Sequence, residues 1–337
     1  MQEKIKIAVD AMGGENSPKK IINGIINNQK QNKDVIYNIF GNKEKIEEIF
    51  PKNYDKNTFK VFHTSNKILD TDSALTAAKK GKDTSMWLTI QSLKNNESDV
   101  AISAGNTGAL FVLSKLNLDM IENIDKPALS ALWPNKKNFN VVLDLGANIE
   151  CNDKNLIDFS IMGSSLYKSL YPNDDPIVGL LNIGSEELKG NEVIKKAYQN
   201  LQNRNNNNFK FDGYIEGNHI MDGDVNVIVT DGFTGNIALK TAEGTANFIV
   251  NEFKNSMTSS ILGKISSMIN IKNLNKVKKK LDPRLYNGAI LIGLNSPVVK
   301  SHGSTDHIGF SNSLNVCIKI VKNNLIQKIK DNISKWE

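Results

Sequence analysis

A short apolar run, a loop rich in Gly, Asn, Asp and Thr, and an amphipathic helix follow one another repeatedly along this chain of 337 residues. The pattern predicts strands at 5–10, 35–40, 59–62, 99–103, 140–145, 176–183, 225–230 and 289–294. It predicts helices at 17–30, 43–50, 73–94, 107–117, 153–169, 186–202, 236–255 and 312–334. Strands that alternate with helices imply an α/β fold, with a parallel or mostly parallel sheet covered on both faces. At this length the expectation is one α/β unit over 1–337, or two lobes sharing a sheet.

With 39% hydrophobic and 23% charged residues, the chain suits a globular protein and not a disordered one. No apolar run approaches the roughly 20 residues that span a bilayer. The strand pattern begins at Ile5, which leaves no room for a signal peptide, so a cytoplasmic location is expected. Cys151 and Cys317 are far apart and form no CxxC pair; both read as reduced structural thiols. The net charge of +6 favours acidic partners: phosphate, an acidic protein, an anionic membrane or nucleic acid. Many lysines stand beside Asn and Ile, which reflects a general bias. No helix-turn-helix, zinc or aromatic RNA-binding motif is present, so nucleic acid is not expected as a partner.

In a sheet of this kind, ligands gather at the carboxyl ends of the strands. Those ends carry the unusual residues: DAMGGE (10–15), SAGNTGA (103–109), DLGAN (144–148), NIGSEELKGN (182–191), DGFTGN (231–236) and HGSTD (302–306). Gly105 permits a tight backbone path, and Asn106 or Thr107 starts the next helix, whose free N–H groups and dipole favour an anion. DGFTGN repeats the arrangement, with Gly232 and Gly235 around Thr234 and a helix starting at Asn236. Two such loops on one sheet edge suggest a phosphorylated ligand, or phosphate itself, between them. Ser103, Gly105, Asn106, Thr107, Asn148, Thr234 and Asn236 are the candidate phosphate ligands. Asp10, Gly13 and Gly14 form a supporting loop.

No GxGxxG follows a strand and no GxxxxGK[ST] occurs, which disfavours dinucleotide and P-loop sites. Asp10, Asp144 and Asp231 have the chemistry to hold a divalent cation, yet their spacing carries no metal signature, and no metal or cofactor is expected. His63, His219, His302 and His307 show no HExxH spacing, and no GxSxG elbow exists. His302 lies in a Gly/Ser/Thr loop after a strand, which suits a proton donor or an oxyanion contact. Lys189, before Gly190, can reach an anion or a developing oxyanion.

Residues 245–285 stand apart as a projecting helical segment. Met257, Ile261, Leu262 and Ile265 form an apolar stripe among serines and lysines, fit for a dimer contact, a membrane surface or both.

These motifs in this order resemble the PlsX-type phosphate acyltransferases of bacterial phospholipid synthesis. The matching stretches are IAVDAMGGENSP (7–18), SAGNTGAL (103–110), KPAL (126–129), DLGAN (144–148), VGLLNIGSEELKGNE (178–192), DGFTGNIALKTAEG (231–244) and LIGLNSPVVKSHGSTD (291–306). The sequence differs from the family pattern at Glu15, Gly81, Thr84, Asn218 and His219, and over NGAILIG (287–293). The resemblance implies a fold similar to isocitrate and isopropylmalate dehydrogenases and phosphotransacetylases. It also implies an acyl-carrier-protein thioester as donor, inorganic phosphate as acceptor and a homodimer, with peripheral membrane association.

Hydrogen phosphate is already a nucleophile and a thioester has a good leaving group, so direct attack needs only positioning and oxyanion stabilisation. Lys189 and His302 are the candidates for oxyanion stabilisation or thiol protonation; Asp10, Asn148 and Asp231 would orient them. Lys79, Lys80 and Lys82, or Lys276, Lys278, Lys279, Lys280 and Arg284, offer basic surface for an acidic carrier. The rivals are a phosphotransacetylase using short acyl-coenzyme A and a non-catalytic anion-binding scaffold.

Overall fold

The computed structural model describes residues 4–203, 208–260, 262, 269–280 and 282–336. In chain order the elements are β1 (Ile5–Asp10), α1 (Lys19–Gln31), β2 (Val35–Gly41), α2 (Lys43–Glu47), β3 (Phe59–His63), α3 (Ala74–Lys80), α4 (Ser85–Lys94), β4 (Val100–Ser103) and α5 (Thr107–Asn117). Then come β5 (Ala128–Pro134), β6 (Phe139–Leu143), α6 (Asp153–Leu170), β7 (Ile177–Asn182), α7 (Glu192–Asn203), β8 (Lys210–Glu216), β9 (Val227–Val229) and α8 (Gly232–Thr258). The chain ends with α9 (Ile271–Lys280), β10 (Ala289–Ile292), β11 (Val298–Lys300), α10 (His307–Lys322) and α11 (Leu325–Trp336).

Eleven strands form one sheet in the order β3-β2-β1-β4-β11-β10-β5-β6-β9-β7-β8. The first five are mutually parallel, and so are the last four. Between them lie three antiparallel pairings: β11 with β10, β10 with β5, and β5 with β6. An odd number of reversals makes the two parallel blocks run in opposite directions. The carboxyl ends of β1, β4 and β11 therefore leave one edge of the sheet, and those of β6, β7 and β9 leave the other. This overturns the expectation that loops 103–109 and 231–236 share one edge.

Both faces of the strands are buried, as the near-continuous apolar runs require. Ile7 and Val9 of β1 pack with Ile21, Ile25, Phe310 and Leu314 of α1 and α10; Ala8 faces the other way, onto Met86, Ile90 and Leu110 of α4 and α5. Each fully buried Ile or Phe contributes about 1.5–3 kcal/mol. The first of these cores continues under the second block, through Val141, Leu143 and Val227 to Phe159 and Met162 of α6. On the opposite face Val142 and Ile228 meet Ala238, Leu239 and Ala242 of α8.

Several boundaries differ from the sequence reading. The helix expected over 73–94 is two helices, because Asp83 takes a left-handed conformation (φ 61) and Thr84 caps a fresh start by accepting from Trp87 N. The one expected over 312–334 starts at His307, capped by Asp306, and breaks before Asn324 (φ 51). Residues 186–191 form a loop rather than a helical start, and α8 begins at Gly232, four residues earlier than expected. Strands β5, β8 and β11 lie outside the eight strand ranges placed from the sequence. Ile261, Ile265 and the connection at 263–268 lie outside the described residues.

Candidate active site

At one sheet edge three strand tips stand in register: Asp10 opposite Ser103, and Ser103 opposite Lys300. Ser103 Oγ donates to Asp10 Oδ2 at 2.6 Å and accepts from Gly105 N at 3.0 Å. Ser85, the first residue of α4, also donates to Asp10, and Met12 N reaches its Oδ1 at 3.1 Å. Burial pushes the Asp10 carboxyl above its ordinary range, and these hydrogen bonds oppose that push without cancelling it. Asp10 and Ser103 thus form a buried floor. Neither side chain reaches solvent.

The paired glycines follow from close approach. A Cβ on Gly13 would lie 2.5 Å from Gly105 N and 2.7 Å from Asp10 Oδ2. A Cβ on Gly14 (φ +80) would lie 2.6 Å from Ala104 O and 3.0 Å from Lys20 Nζ. Loop 10–14 can press on loop 103–105 only without those side chains.

His302 follows β11 on the same edge. Asn287 Oδ1 accepts from its backbone N–H at 2.9 Å, and its Nδ1 accepts from Ser304 N at 3.3 Å. An accepting Nδ1 leaves the neutral ring's proton on Nε2. Desolvation, then the neighbouring Lys300 charge, holds the imidazole below its ordinary pKa, so it is neutral at pH 7. Two further cations sit here that the sequence reading passed over. Lys20 is buried and donates to Gly303 O; Lys300 donates to Ser301 O at 2.5 Å.

Asn106 accepts from Ala109 N at 3.0 Å, capping α5, and its amide donates to Asp70 O and Asp72 O at 3.0 and 2.9 Å. That amide staples the 70–72 loop and has no donor left for an anion. Thr107 is exposed at the helix start. Ser103 is likewise fully engaged below the surface.

The other edge gathers the rest of the expected ligands. Asp144 is buried and accepts from Leu129 N, Gly146 N and Ala147 N, and from both the backbone and the amide of Asn148. The Asn148 amide also donates to Pro127 O at 2.7 Å. Gly232 and Gly235 pack on this knot, where added Cβ atoms would lie 2.4 Å from Asn148 O and 1.9 Å from Asp144 O. Asp231 caps α8, accepting from Thr234 N at 2.8 Å and Thr234 Oγ1 at 2.9 Å. A carboxylate therefore already occupies the helix start where phosphate was expected. Asn236 is exposed beside Gly146. Lys189 is exposed in the loop after β7, on this same edge and not beside His302.

Among the described residues no hydrogen bond or ion pair joins the two edges. Helix α8 relates them: it starts on the second, and its Lys240 and Glu243 act electrostatically on His302. That reach is about 15 Å of helix at about 1.5 Å per residue. No group of three or more His, Cys, Asp or Glu suited to a metal converges among the described residues. Nor is any described helix long and apolar enough to cross a membrane.

The structure is similar to a phosphotransacetylase from Streptococcus pyogenes, with a TM-score of 0.63 over 96% of this chain and 95% of that one at 13% identity. It is also similar to 4-hydroxythreonine-4-phosphate dehydrogenase from Klebsiella pneumoniae, with a TM-score of 0.53 over 94% and 99% of the two chains at 11% identity. Both likenesses concern the fold, which is the α/β arrangement expected from the sequence. In sequence, the chain is 68% identical over 333 residues to the phosphate acyltransferase of Pelagibacter ubique (strain HTCC1062), covering 99% of this chain and 100% of the relative. The family model described as "Fatty acid synthesis protein" matches residues 5–328, and the chain belongs to that family.

Proposed function

We propose that this chain transfers a long-chain acyl group from an acyl-carrier-protein thioester to inorganic phosphate. A phosphate oxygen attacks the thioester carbonyl, the tetrahedral oxyanion collapses and the C–S bond breaks. The proton of hydrogen phosphate ends on the departing thiol, leaving a dianionic acyl phosphate. The observation that carries the reading is the edge formed by β1, β4 and β11. Cations and the start of α5 stand there over a buried Asp10–Ser103 floor.

Direct attack fits the available groups. Ser103 is buried and cannot meet a carbonyl carbon. Burial pushes the Cys151 thiol up to about 11, and Cys317 is wholly buried. Neither supplies a thiolate near neutral pH. His302, with its proton on Nε2, suits hydrogen bonding to the oxyanion.

The partner readings rest on surface chemistry. On α8, Ala238, Leu239 and Ala242 pack on the chain's own core. The same helical face continues through Ile249, Val250 and Phe253, which are exposed. A second copy of the chain covering that face makes a homodimer. Leu262 is exposed beyond it and suits peripheral membrane contact. Exposed Lys79 and Lys80 end α3 and exposed Lys82 follows it, and Ala74 of that helix lies beside Gly108. An acidic carrier docked there would present its thioester near the α5 start.

The test incubates the protein with phosphate and either long-chain acyl-carrier protein or acetyl-coenzyme A. Free thiol and hydroxylamine-trapped acyl product are measured together. Equal release of both from the carrier substrate alone supports the reading. Turnover of acetyl-coenzyme A alone would make the enzyme a short-chain phosphotransacetylase, and thiol release without trappable product would exclude acyl phosphate formation.

A further inference from the structure

Lys20 stands where a lysine is doubly disfavoured. It lies in the first turn of α1, where the helix dipole repels a cation and no acidic residue offsets it. It is also buried, and an ammonium removed from water without a counter-ion costs several kcal/mol. Its Nζ donates to Gly303 O, a neutral carbonyl. Lys300, at the tip of β11, repeats the situation with Ser301 O. Among the described residues neither lysine forms an ion pair. The acidic groups that act on them from a distance are Glu15 and Asp70 for Lys20, and Asp70 and Asp10 for Lys300. The two cations also repel each other. An ammonium has three N–H donors, and each has one engaged, so donors remain on both.

We infer that Lys20 and Lys300 together form the seat of the phosphate acceptor, with the Nε2–H of His302 beside it. Two cations with no ion-pair partner among the described residues match a dianion in charge. Gly14 leaves the space: a Cβ there would lie 3.0 Å from Lys20 Nζ. This assignment moves the acceptor away from Asn106, Asn148 and Thr234, whose polar groups are engaged within the protein. It rests on the acyl-transfer reading for the identity of the acceptor, while its test reads binding separately.

Calorimetric titration of the full chain with inorganic phosphate, without donor, measures the seat alone. Lys20→Met and Lys300→Met are each expected to weaken phosphate binding about ten- to hundredfold, the scale of a lost charged hydrogen bond. Lys196→Met, on exposed α7, serves as the control and should bind as wild type does. In turnover, the KM for phosphate should rise by a similar factor while the donor KM holds. Acetylation footprinting of wild type adds a measurement that needs no variant: phosphate should shield Lys20 and Lys300. Unchanged phosphate affinity in both folded variants, or no shielding of either lysine, overturns the seat. Phosphate binding that requires both lysines in a protein that makes no acyl phosphate would uphold the seat and overturn the acyl-transfer reading.

Discussion

Asp10 and Ser103 end adjacent parallel strands, and the serine hydroxyl donates to the buried carboxyl at 2.6 Å. The bond ties loop 10–14 to loop 103–106, beneath the lysines that crown this edge. Ser103→Ala is expected to destabilise the fold by about 1–3 kcal/mol, the range for a buried charged acceptor losing a donor. The folded pKa of Asp10 already lies above its ordinary value, and losing a donor raises it further. Stability from such a group is complete below the unfolded pKa and is lost as pH rises through the folded one. Urea melts of the variant should therefore fall further behind wild type from acid to neutral pH. A deficit constant over that range would show that Asp10 does not ionise there.

Two glycines in unlike surroundings should respond with opposite signs. Gly13→Ala places a methyl 2.5 Å from Gly105 N, against backbone that cannot step aside. A loss of at least about 1–3 kcal/mol is expected, with weakened activity, since the floor itself moves. Gly244 lies within α8, and a Cβ there meets nothing within 4 Å. Gly244→Ala is expected to gain up to about 1 kcal/mol from helix propensity. Thermal melts of both variants check the pair; equal effects would contradict the packing described.

The alternation of apolar runs and helices made the layered α/β architecture legible, because burial on both sheet faces leaves a continuous apolar signature. It did not reveal the reversal of direction at β10 and β5. Strand direction is set by which tips meet in space, and the runs around Leu129 and Ile290 carry no mark of it. The anion-ready loops were legible as glycine and asparagine punctuation, yet their polar groups proved to serve each other. Asn106 and Thr234 look like ligands in one dimension because caps and ligand loops use the same residues. Lys300 closes an apolar strand run two residues before His302, a signal that was available. Lys20 shows its character only through burial, which depends on Gly303, 283 residues away.

The second edge yields a contrasting expectation. Thr234 already donates its hydroxyl to Asp231. Thr234→Val should cost about 0.5–1.5 kcal/mol for that hydrogen bond and leave the phosphate KM within about twofold of wild type. A tenfold rise in that KM, at unchanged donor KM, would return the phosphate to the α8 start.

The apolar face of α8 makes the oligomer testable. Phe253 is exposed midway between Ile249 and the helix end, on the face that packs on the core further back. Phe253→Lys would bury a charge in any contact covering that face. Sedimentation should find wild type dimeric and the variant monomeric at micromolar concentration, with the helical signal intact. A dimeric variant would place the subunit contact elsewhere.

The acceptor seat should carry its own pH signature. Burial, then the Lys20 charge, hold the Lys300 ammonium down to about 8, while Asp70 and Asp10 pull the other way. In the free protein the charge is therefore lost as pH rises through that value. The unfolded chain keeps its proton to about 10.5, so between those limits it binds more protons and folding stability from this group rises with pH. Phosphate affinity must move in the opposite sense, because only the protonated lysine attracts the dianion. After allowance for the second ionisation of phosphate itself, calorimetry at pH 7, 8 and 9 should show affinity falling with each step. Lys300→Arg keeps its charge over the whole range and should flatten the profile. A wild-type affinity that stays level from pH 7 to 9 would mean that Lys300 does not hold the phosphate.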